Sequence, residues 1–543
     1  MSGEAPTDAP TARATFAGVT PSSPPSRAPE RPGWGDLAAG VGVAAIALPQ
    51  ALAYAELAGM PPVAGLWATI PALLVAVPFL SARELQVGPV ATTSLLAFGT
   101  LSSLAAPGSP EWLASAALLA VMVGLVRIAI GVLGWGRIAY LLSRPVRIGF
   151  LNGAAVLIAA SQLPAALGMP REGSVLGSAA RALASPGAWR LDAVGFAVGT
   201  IVLVVVARRL HPLVPGVLLA VIGSVAASTW LGYDGAVVGT IADAWPRLRL
   251  DFPLEALPRL AIGAVVLALV GFAEAAAIGR DLAARARRRW DPDREFVAQG
   301  AANVAAGLFG GFPVGASFSR SAVNRMAGAR SRWSSAVTGL TLLAAIPAAP
   351  LLAALPKATL AGVILAAIAS LVRPGDVWTV LRASRSQGVV ALATFALTLI
   401  LAPRIDEAVV IGVLLAAGQH LRREQQLRID VRRDGPILEV IPRGVLWYGS
   451  AQRIEETIPD LIAEHPDAAM LILDLSACGR VDWTAAASIR EALEDAEAAQ
   501  MHVALRGVPH HAQAWMRSVW RDVPIEDGLR PHGTRPTDAP ESG

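Results

Sequence analysis

Apolar windows long enough to cross a membrane recur from about residue 37 to about residue 418. A hydrocarbon core about 30 Å thick takes roughly 20 apolar residues per helical crossing. No water in that layer can pair backbone N–H and C=O groups, so such windows fold as helices. Candidate spans begin near Asp36, Pro62, Glu111, Pro145, Leu191 and His211, then near Leu260, Glu295, Arg332, Leu360, Gln387 and Ile405. Two shorter apolar pieces follow Val87 and Phe312; each follows a proline, and neither can cross alone. Composition points the same way. Charged residues make up 16% of the 543, against about 25% in soluble proteins. Mean hydropathy is +0.53. A soluble core this apolar would lack the polar surface to cover it.

Arginines orient the spans. Arg137, Arg144 and Arg147 share one loop and Arg208 and Arg209 the next alternate one. Further groups run from Arg280 to Arg289, Arg330 to Arg332, Arg373 to Arg385 and Arg422 to Arg423, while loops 104–112 and 350–357 are nearly free of arginine. By the positive-inside rule both termini face the cytoplasm and the number of crossings is even. The net charge of +4 follows from these loops and does not point to nucleic acid. One cysteine, Cys478, excludes an intrachain disulfide, and seven histidines include no HExxH. No metal or cofactor is expected, and no constellation supports an enzyme. Residues 1–30 and 527–543 read as disordered tails, the first without a signal peptide.

Past Arg423 the pattern changes. LILDLS (471–476) and HVALRGV (502–508) read as buried strands. RIEETIPDLIAEH and TAAASIREALEDAEAAQ read as amphipathic helices. Residues 437–526 are therefore expected to form a small cytoplasmic α/β domain, joined by a polar linker at 422–436 to a transmembrane domain at 31–421.

The two short pieces echo each other. VGPVATTSLL (87–96) and GFPVGASFSR (311–320) both place Pro-Val before small and hydroxyl residues that open a helix. The spacing that carries Pro89 onto Pro313 also carries Gln50 onto Glu274, the polar residues inside the helices that open each half. Paired interrupted segments point to a transporter site built from inverted repeats, here about 33–232 and 255–421. A helix starting in mid-membrane has unpaired N–H groups and partial positive charge at its N-terminus. An anion satisfies both. Two facing half-helices after Pro89 and Pro313 would clamp one. Ser317 and Ser319 add hydroxyls, and Arg320 adds a full charge whose cost in the membrane, at least ~2.5–3.5 kcal/mol, is tolerable facing a wet cavity. Snorkelling of Arg320, or pairing with Glu274, remains an alternative. Glu274 could carry a coupled proton or hold a structural hydrogen bond. Tyr54 lies one turn beyond Gln50 on the same face, and Glu56 reads as interfacial.

These segments resemble the sulfate permease (SulP) family of anion transporters. The resemblance rests on IALPQALAYAELAGMPPVAGLWA (46–68), RELQVGPVATTSLL (83–96), GFLNGAAVLIAASQLPAALG (149–168), GFAEAAAIGRDLAARA (271–286) and QGAANVAAGLFGGFPVGASFSRSAVNRMAGAR (299–330). It covers about residues 33–525 and implies a polytopic α-helical membrane protein. About fourteen segments would form two inverted seven-segment repeats with two short broken half-helices, followed by a cytoplasmic STAS-like domain. Carried over by motif, it implies a substrate site at Gln50, Tyr54, Val90, Phe318, Ser319 and Arg320, with Ser317 and Ala91 as weaker candidates and Glu274 at the coupling or ion-pairing position. Members that use sodium carry Asp where this chain has Glu274, which disfavours a sodium site. Members often read Pro-x-Thr-Gly-Ser where this chain reads Pro313-Val314-Gly315-Ala316-Ser317, so a hydroxyl ligand at Gly315 is missing. In the STAS-like domain, VDWTAAASI (481–489) is similar to the loop-helix that carries a phosphorylatable serine in anti-sigma-factor antagonists, with Thr484 at that position; an N-cap role for Asp482 or Thr484 is the favoured reading, and Trp483 and Trp520 are expected to be packing residues.

The expected protein is a homodimeric inner-membrane secondary transporter working by alternating access. Sulfate is the first substrate expected; bicarbonate, chloride and dicarboxylates are alternatives. An uncoupled anion channel or sensor, and a membrane-anchored STAS signalling scaffold, are the rival classes.

Overall fold

A computed structural model describes residues 32–140, 143–241, 245–369, 374–520 and 525–526. The two expected tails lie outside the described residues. The first half runs through α1 (Trp34–Leu57), α2 (Ala64–Ala76), the two-residue strand β1 (Val87–Gly88), α3 (Ala91–Leu101), α4 (Pro110–Val132), α5 (Arg144–Ala166), α6 (Val175–Ala184), α7 (Leu191–Leu210) and α8 (Gly216–Leu231). The second half repeats that order. It runs through α9 (Leu257–Arg285), α10 (Pro292–Leu308), the two-residue strand β2 (Gly315–Ala316), α11 (Phe318–Met326), α12 (Trp333–Ala345), α13 (Lys357–Ile368), α14 (Pro374–Ala383), α15 (Arg385–Ile400) and α16 (Ile405–Glu424).

Each half thus contributes seven segments once α6 and α14 are set aside, and the third of each seven is strand-then-helix. Every expected span coincides with a helix. The expected short pieces are α3 and α11, of 11 and 9 residues. The helices α6 and α14 were not expected. Both have 10 residues, and they fall at the same place in the two halves, after the fifth segment. In α6 the buried residues Val175, Ser178, Ala179 and Ala182 recur at helical spacing, and Ser174 Oγ caps the helix by accepting from Gly177 N at 3.2 Å.

The described residues divide into two compact units. One holds 32–140, 154–369 and 401–406; the other holds 143–153, 374–400 and the chain from 407 onward. In the first, buried carboxylates tie loops to helices. Asp36, in the first turn of α1, accepts from the backbone N–H groups of Arg330 and Ser331 at 2.8 and 2.9 Å and from Ser331 Oγ at 2.7 Å. Glu295, fully buried on α10, accepts from the N–H groups of Ser81 and Ala82, both at 3.1 Å. Each carboxyl accepts from two neighbouring backbone N–H groups, so these two acids fix the loops that lead into β1 and α12.

Helices α1 and α2 approach at backbone distance. A Cβ added to Gly65 would lie 2.0 Å from Ala51 O, in the residue after Gln50. Gly65→Val is therefore expected to push α2 away from the stretch of α1 that carries Gln50, at an overpacking cost of about 1–3 kcal/mol or more. Thermal unfolding of the purified variant should show a lower Tm. An unchanged Tm would mean that the two helices are not held at this separation.

The second unit contains α14–α16 and an α/β sheet. The sheet strands are β3 (Arg428–Asp434), β4 (Ile437–Leu446), β5 (Met470–Asp474), β6 (Cys478–Val481), β7 (His502–Arg506) and β8 (Ile525–Glu526), with helices α17 (Tyr448–Glu464), α18 (Trp483–Ala498) and α19 (His510–Val519). The order is β3-β4-β5-β7-β8, with β6 pairing β4; β3 is antiparallel to β4 and the other pairings are parallel. Strand β3 falls inside the stretch expected as a polar linker. Its alternation of Ile429 and Val431 with charged neighbours has the period of a strand, and pairing with β4 outweighs its polarity.

Leu438, Leu471, Ile454, Ile489 and Leu505 belong to one buried cluster in this unit. Trp520, 1% exposed, joins it and donates from Nε1 to Ala486 O at 2.8 Å, as expected of a packing residue. Trp483 does not pack: it is 60% exposed at the start of α18. The N-cap there is Asp482, whose Oδ1 accepts from Ala485 N at 2.6 Å, which leaves the Thr484 side chain exposed. Cys478 donates its thiol to Pro442 O at 3.2 Å. Burial, and secondarily the Asp474 carboxylate, push that thiol up to about 12. It is a structural cysteine.

Candidate functional site

The two breaks meet. Val87 pairs with Ala316 and Gly88 with Gly315 in a short antiparallel ladder. Ser317 N donates to Gln86 O at 2.9 Å, and Ser321 Oγ accepts from Gln86 N at 2.9 Å. Pairing the interrupted backbones with each other removes most of the cost of leaving helix in mid-membrane. It also brings the N-termini of α3 and α11 to one place. The N-cap of α3 is Val90, which contributes no side-chain cap; that of α11 is Ser317, whose Oγ accepts from Arg320 N at 3.4 Å.

Arg320 is the central side chain, 1% exposed. Its Nη2 donates to Pro89 O at 2.9 Å, the carbonyl just before the N-cap of α3, so the arginine of one break holds the other. Its Nε and Nη1 are buried with no partner among the described residues. Two donors of a full cation are thus left free beside two helix N-termini. Ser317 Oγ lies 3.4 Å from Ser319 Oγ, and Ser319 and Phe318 are exposed at the mouth of α11.

From α1, Tyr54 is buried and lies within electrostatic reach of both Arg320 and Glu274. Gln50, one turn earlier, is 1% exposed, and its Oε1 has no hydrogen-bond partner among the described residues. Val90 and Ala91 are buried at the start of α3. Glu274 accepts from Thr92 Oγ1 at 2.9 Å, which joins α9 to the first turn of α3. The described hydrogen bonds of Arg320 run to Pro89 and Ser317 and not to Glu274.

The missing hydroxyl at Gly315 has a steric counterpart. A Cβ there would lie 3.2 Å from Val90 Cγ2 and 3.3 Å from Thr93 Cγ2, so side chains of α3 already fill that space.

Sequence reasoning missed Arg127 on α4. It is 1% exposed, and its guanidinium donates to Val314 O (3.1 Å), Leu267 O (3.0 Å) and Ala268 O (3.1 Å). Asn303 completes the grip on Val314, accepting from its N–H at 2.9 Å and donating to its carbonyl at 3.0 Å. The only sequence signal was an arginine inside an apolar span, which also reads as a cation near a helix end.

The model of the sulfate permease family matches residues 34–394, most of the chain. The chain belongs to the sulfate permease family. A probable sulfate transporter of Mycobacterium tuberculosis is 34% identical over 396 residues, covering 72% of this chain and 70% of that protein. The solved structure of the murine solute carrier 26 family member A9 anion transporter, in its inward-facing state, is similar in fold, with a TM-score of 0.83 at 20% identity over 90% of this chain and 88% of that one. The transmembrane domain of a cyanobacterial bicarbonate transporter gives a TM-score of 0.60 at 26% identity, over 71% of this chain and 97% of that domain. This member of the sulfate permease family is a multi-pass membrane protein that transports anions, and not an enzyme.

Proposed function

We propose that the chain is a secondary transporter of small anions, sulfate first among them, with the anion held between the N-termini of α3 and α11. The observation that carries this reading is the pair of unpartnered guanidinium nitrogens of Arg320 beside those two N-termini. Gln50, Tyr54, Val90, Phe318 and Ser319 are the substrate contacts assigned with it, and Ser317 and Ala91 are weaker candidates. Glu274 is the coupling residue: the Thr92 hydroxyl donates to its carboxyl, and a proton taken up there would turn one carboxyl oxygen into a donor and rearrange that bond. A coupled proton would therefore be felt at the first turn of α3. The transport domain spans 31–421. The STAS domain covers 437–526, and the pairing of β3 with β4 supports counting residues 428–434 with it. The arginine loops support an inner-membrane protein with both termini cytoplasmic. The working form is a homodimer.

The test is radiolabelled sulfate uptake into proteoliposomes under an imposed pH gradient, with bicarbonate, chloride, fumarate and succinate as competitors. Sulfate uptake by wild type that loses its response to the gradient in Glu274→Gln would bear out both substrate and coupling. Uptake blocked only by bicarbonate would reassign the substrate. An unchanged gradient response in Glu274→Gln would sink the coupling role.

A further inference from the structure

Glu56 lies six residues beyond Gln50 on α1. At about 1.5 Å per residue it is some 9 Å further along the helix, so its surroundings are separate from the Arg320 site. Its Oε1 is 3.2 Å from Lys357 Nζ, at the start of α13. That lysine is fixed through its backbone, which donates to Ala236 O at 2.8 Å.

The pair does not pack into apolar protein. It opens on a cavity of about 650 Å³, which Arg171, Ser161, Gln162 and Tyr233 also line. A second cavity of about 570 Å³ shares Glu56 and Arg171. The charged residues around the two cavities are two cations, Lys357 and Arg171, and one acid, Glu56. The described contact of the Arg171 guanidinium is the Phe98 ring, 5.0 Å from its centroid, and not a carboxylate. A guanidinium over an aromatic face uses none of its N–H donors in that contact. The cavity therefore carries one positive charge beyond what its own acid balances.

We propose that this cavity is a second anion site, in which Lys357 and Arg171 take a small divalent oxyanion and Glu56 is a tethered competitor for Lys357. When the cavity holds no anion, the Glu56 carboxylate occupies the lysine. An arriving oxyanion presents one charge to each cation and displaces it. The ion pair is partly exposed, with side-chain exposures of 43% for Lys357 and 21% for Glu56, so water can take up the released carboxylate. In the proposed orientation this end of α1, and the site with it, is external. The inference needs the anion chemistry of the family but not the assignment of Arg320 as substrate ligand.

Equilibrium binding of radiolabelled sulfate to the purified full chain in detergent, with chloride as competitor, tests it. Arg320→Ala should keep a sulfate site. Adding Arg171→Gln or Lys357→Gln should weaken that site by about ten-fold or more, and Glu56→Gln should tighten it by about three-fold or more. If Arg320→Ala does not fold, stoichiometry decides: Glu56→Gln should bind a second sulfate per chain more tightly than wild type does. Loss of all binding in folded Arg320→Ala, or a single site in Glu56→Gln that Arg171→Gln does not weaken, would overturn the proposal. A wild type with one site, sensitive to Arg171→Gln and indifferent to Arg320→Ala, would instead overturn the central-site reading and leave this one standing.

Discussion

Arg320→Ala is expected to lower anion uptake in proteoliposomes by about a hundred-fold or more while leaving the Tm of the purified protein unchanged or slightly raised. The two halves of this expectation come from the same geometry. The Arg320 side chain makes one hydrogen bond among the described residues, to Pro89 O, and keeps Nε and Nη1 buried and unpartnered. A buried cation so poorly satisfied costs the protein stability. Removing it leaves Pro89 O without its donor, a loss of about 1–3 kcal/mol, but relieves a desolvated charge of comparable cost. The anion loses its one full counter-charge, and helix N-termini alone supply only partial charge. Arg320→Lys should recover part of the uptake, because charge returns without the planar fork that can hold Pro89 O and an anion together. Uptake that survives in Arg320→Ala would place the anion elsewhere. A collapse in Tm would mark Arg320 as a structural residue.

Much of this fold was legible because membrane burial imposes a one-dimensional rule. Where the chain must hide every backbone polar group, length and hydropathy locate the helices, and α1, α4, α5, α7 and α9 all begin within about three residues of the expected starts. The breaks after Pro89 and Pro313 were legible for the same reason: proline and glycine clusters interrupt a helix, and nothing else explains them there. That the breaks pair with each other through Gly88 and Gly315 is long-range information that a two-residue strand does not carry. The short helices α6 and α14 escaped because amphipathic ten-residue segments fall below any spanning window. Strand β3 escaped because its charges outnumber its two apolar residues, of which only Ile429 packs against the buried cluster. In the site, Arg320 announced itself by following a break. Arg127 did not, because what it binds is backbone carbonyls, which no sequence pattern displays.

Arg127 carries the opposite expectation to Arg320. Its guanidinium spans α4, α9 and the strand-like break before α11, and each hydrogen-bonding nitrogen meets a carbonyl at 3.0–3.1 Å. Position 271 is glycine, and a Cβ there would lie 2.6 Å from Arg127 Nη2. The helix surface of α9 is therefore cut to admit this side chain. Arg127→Ala empties that slot and removes three charge-assisted hydrogen bonds, at a cost of about 3–5 kcal/mol. Tm should fall by about 5–10 °C. Arg127→Lys should recover little of it, since one ammonium cannot reach three carbonyls set out for a planar fork. Uptake should fall as well, but through position: Val314 would be held by Asn303 alone, and the break that delivers Ser317 and Arg320 would lose a fixed point. A low dose of lipid or ligand that restores Tm should then restore uptake in Arg127→Ala and leave Arg320→Ala inactive. If Arg127→Ala instead keeps its Tm and loses uptake outright, the guanidinium acts on the anion through its charge, and the site has two cations where the geometry gives it one.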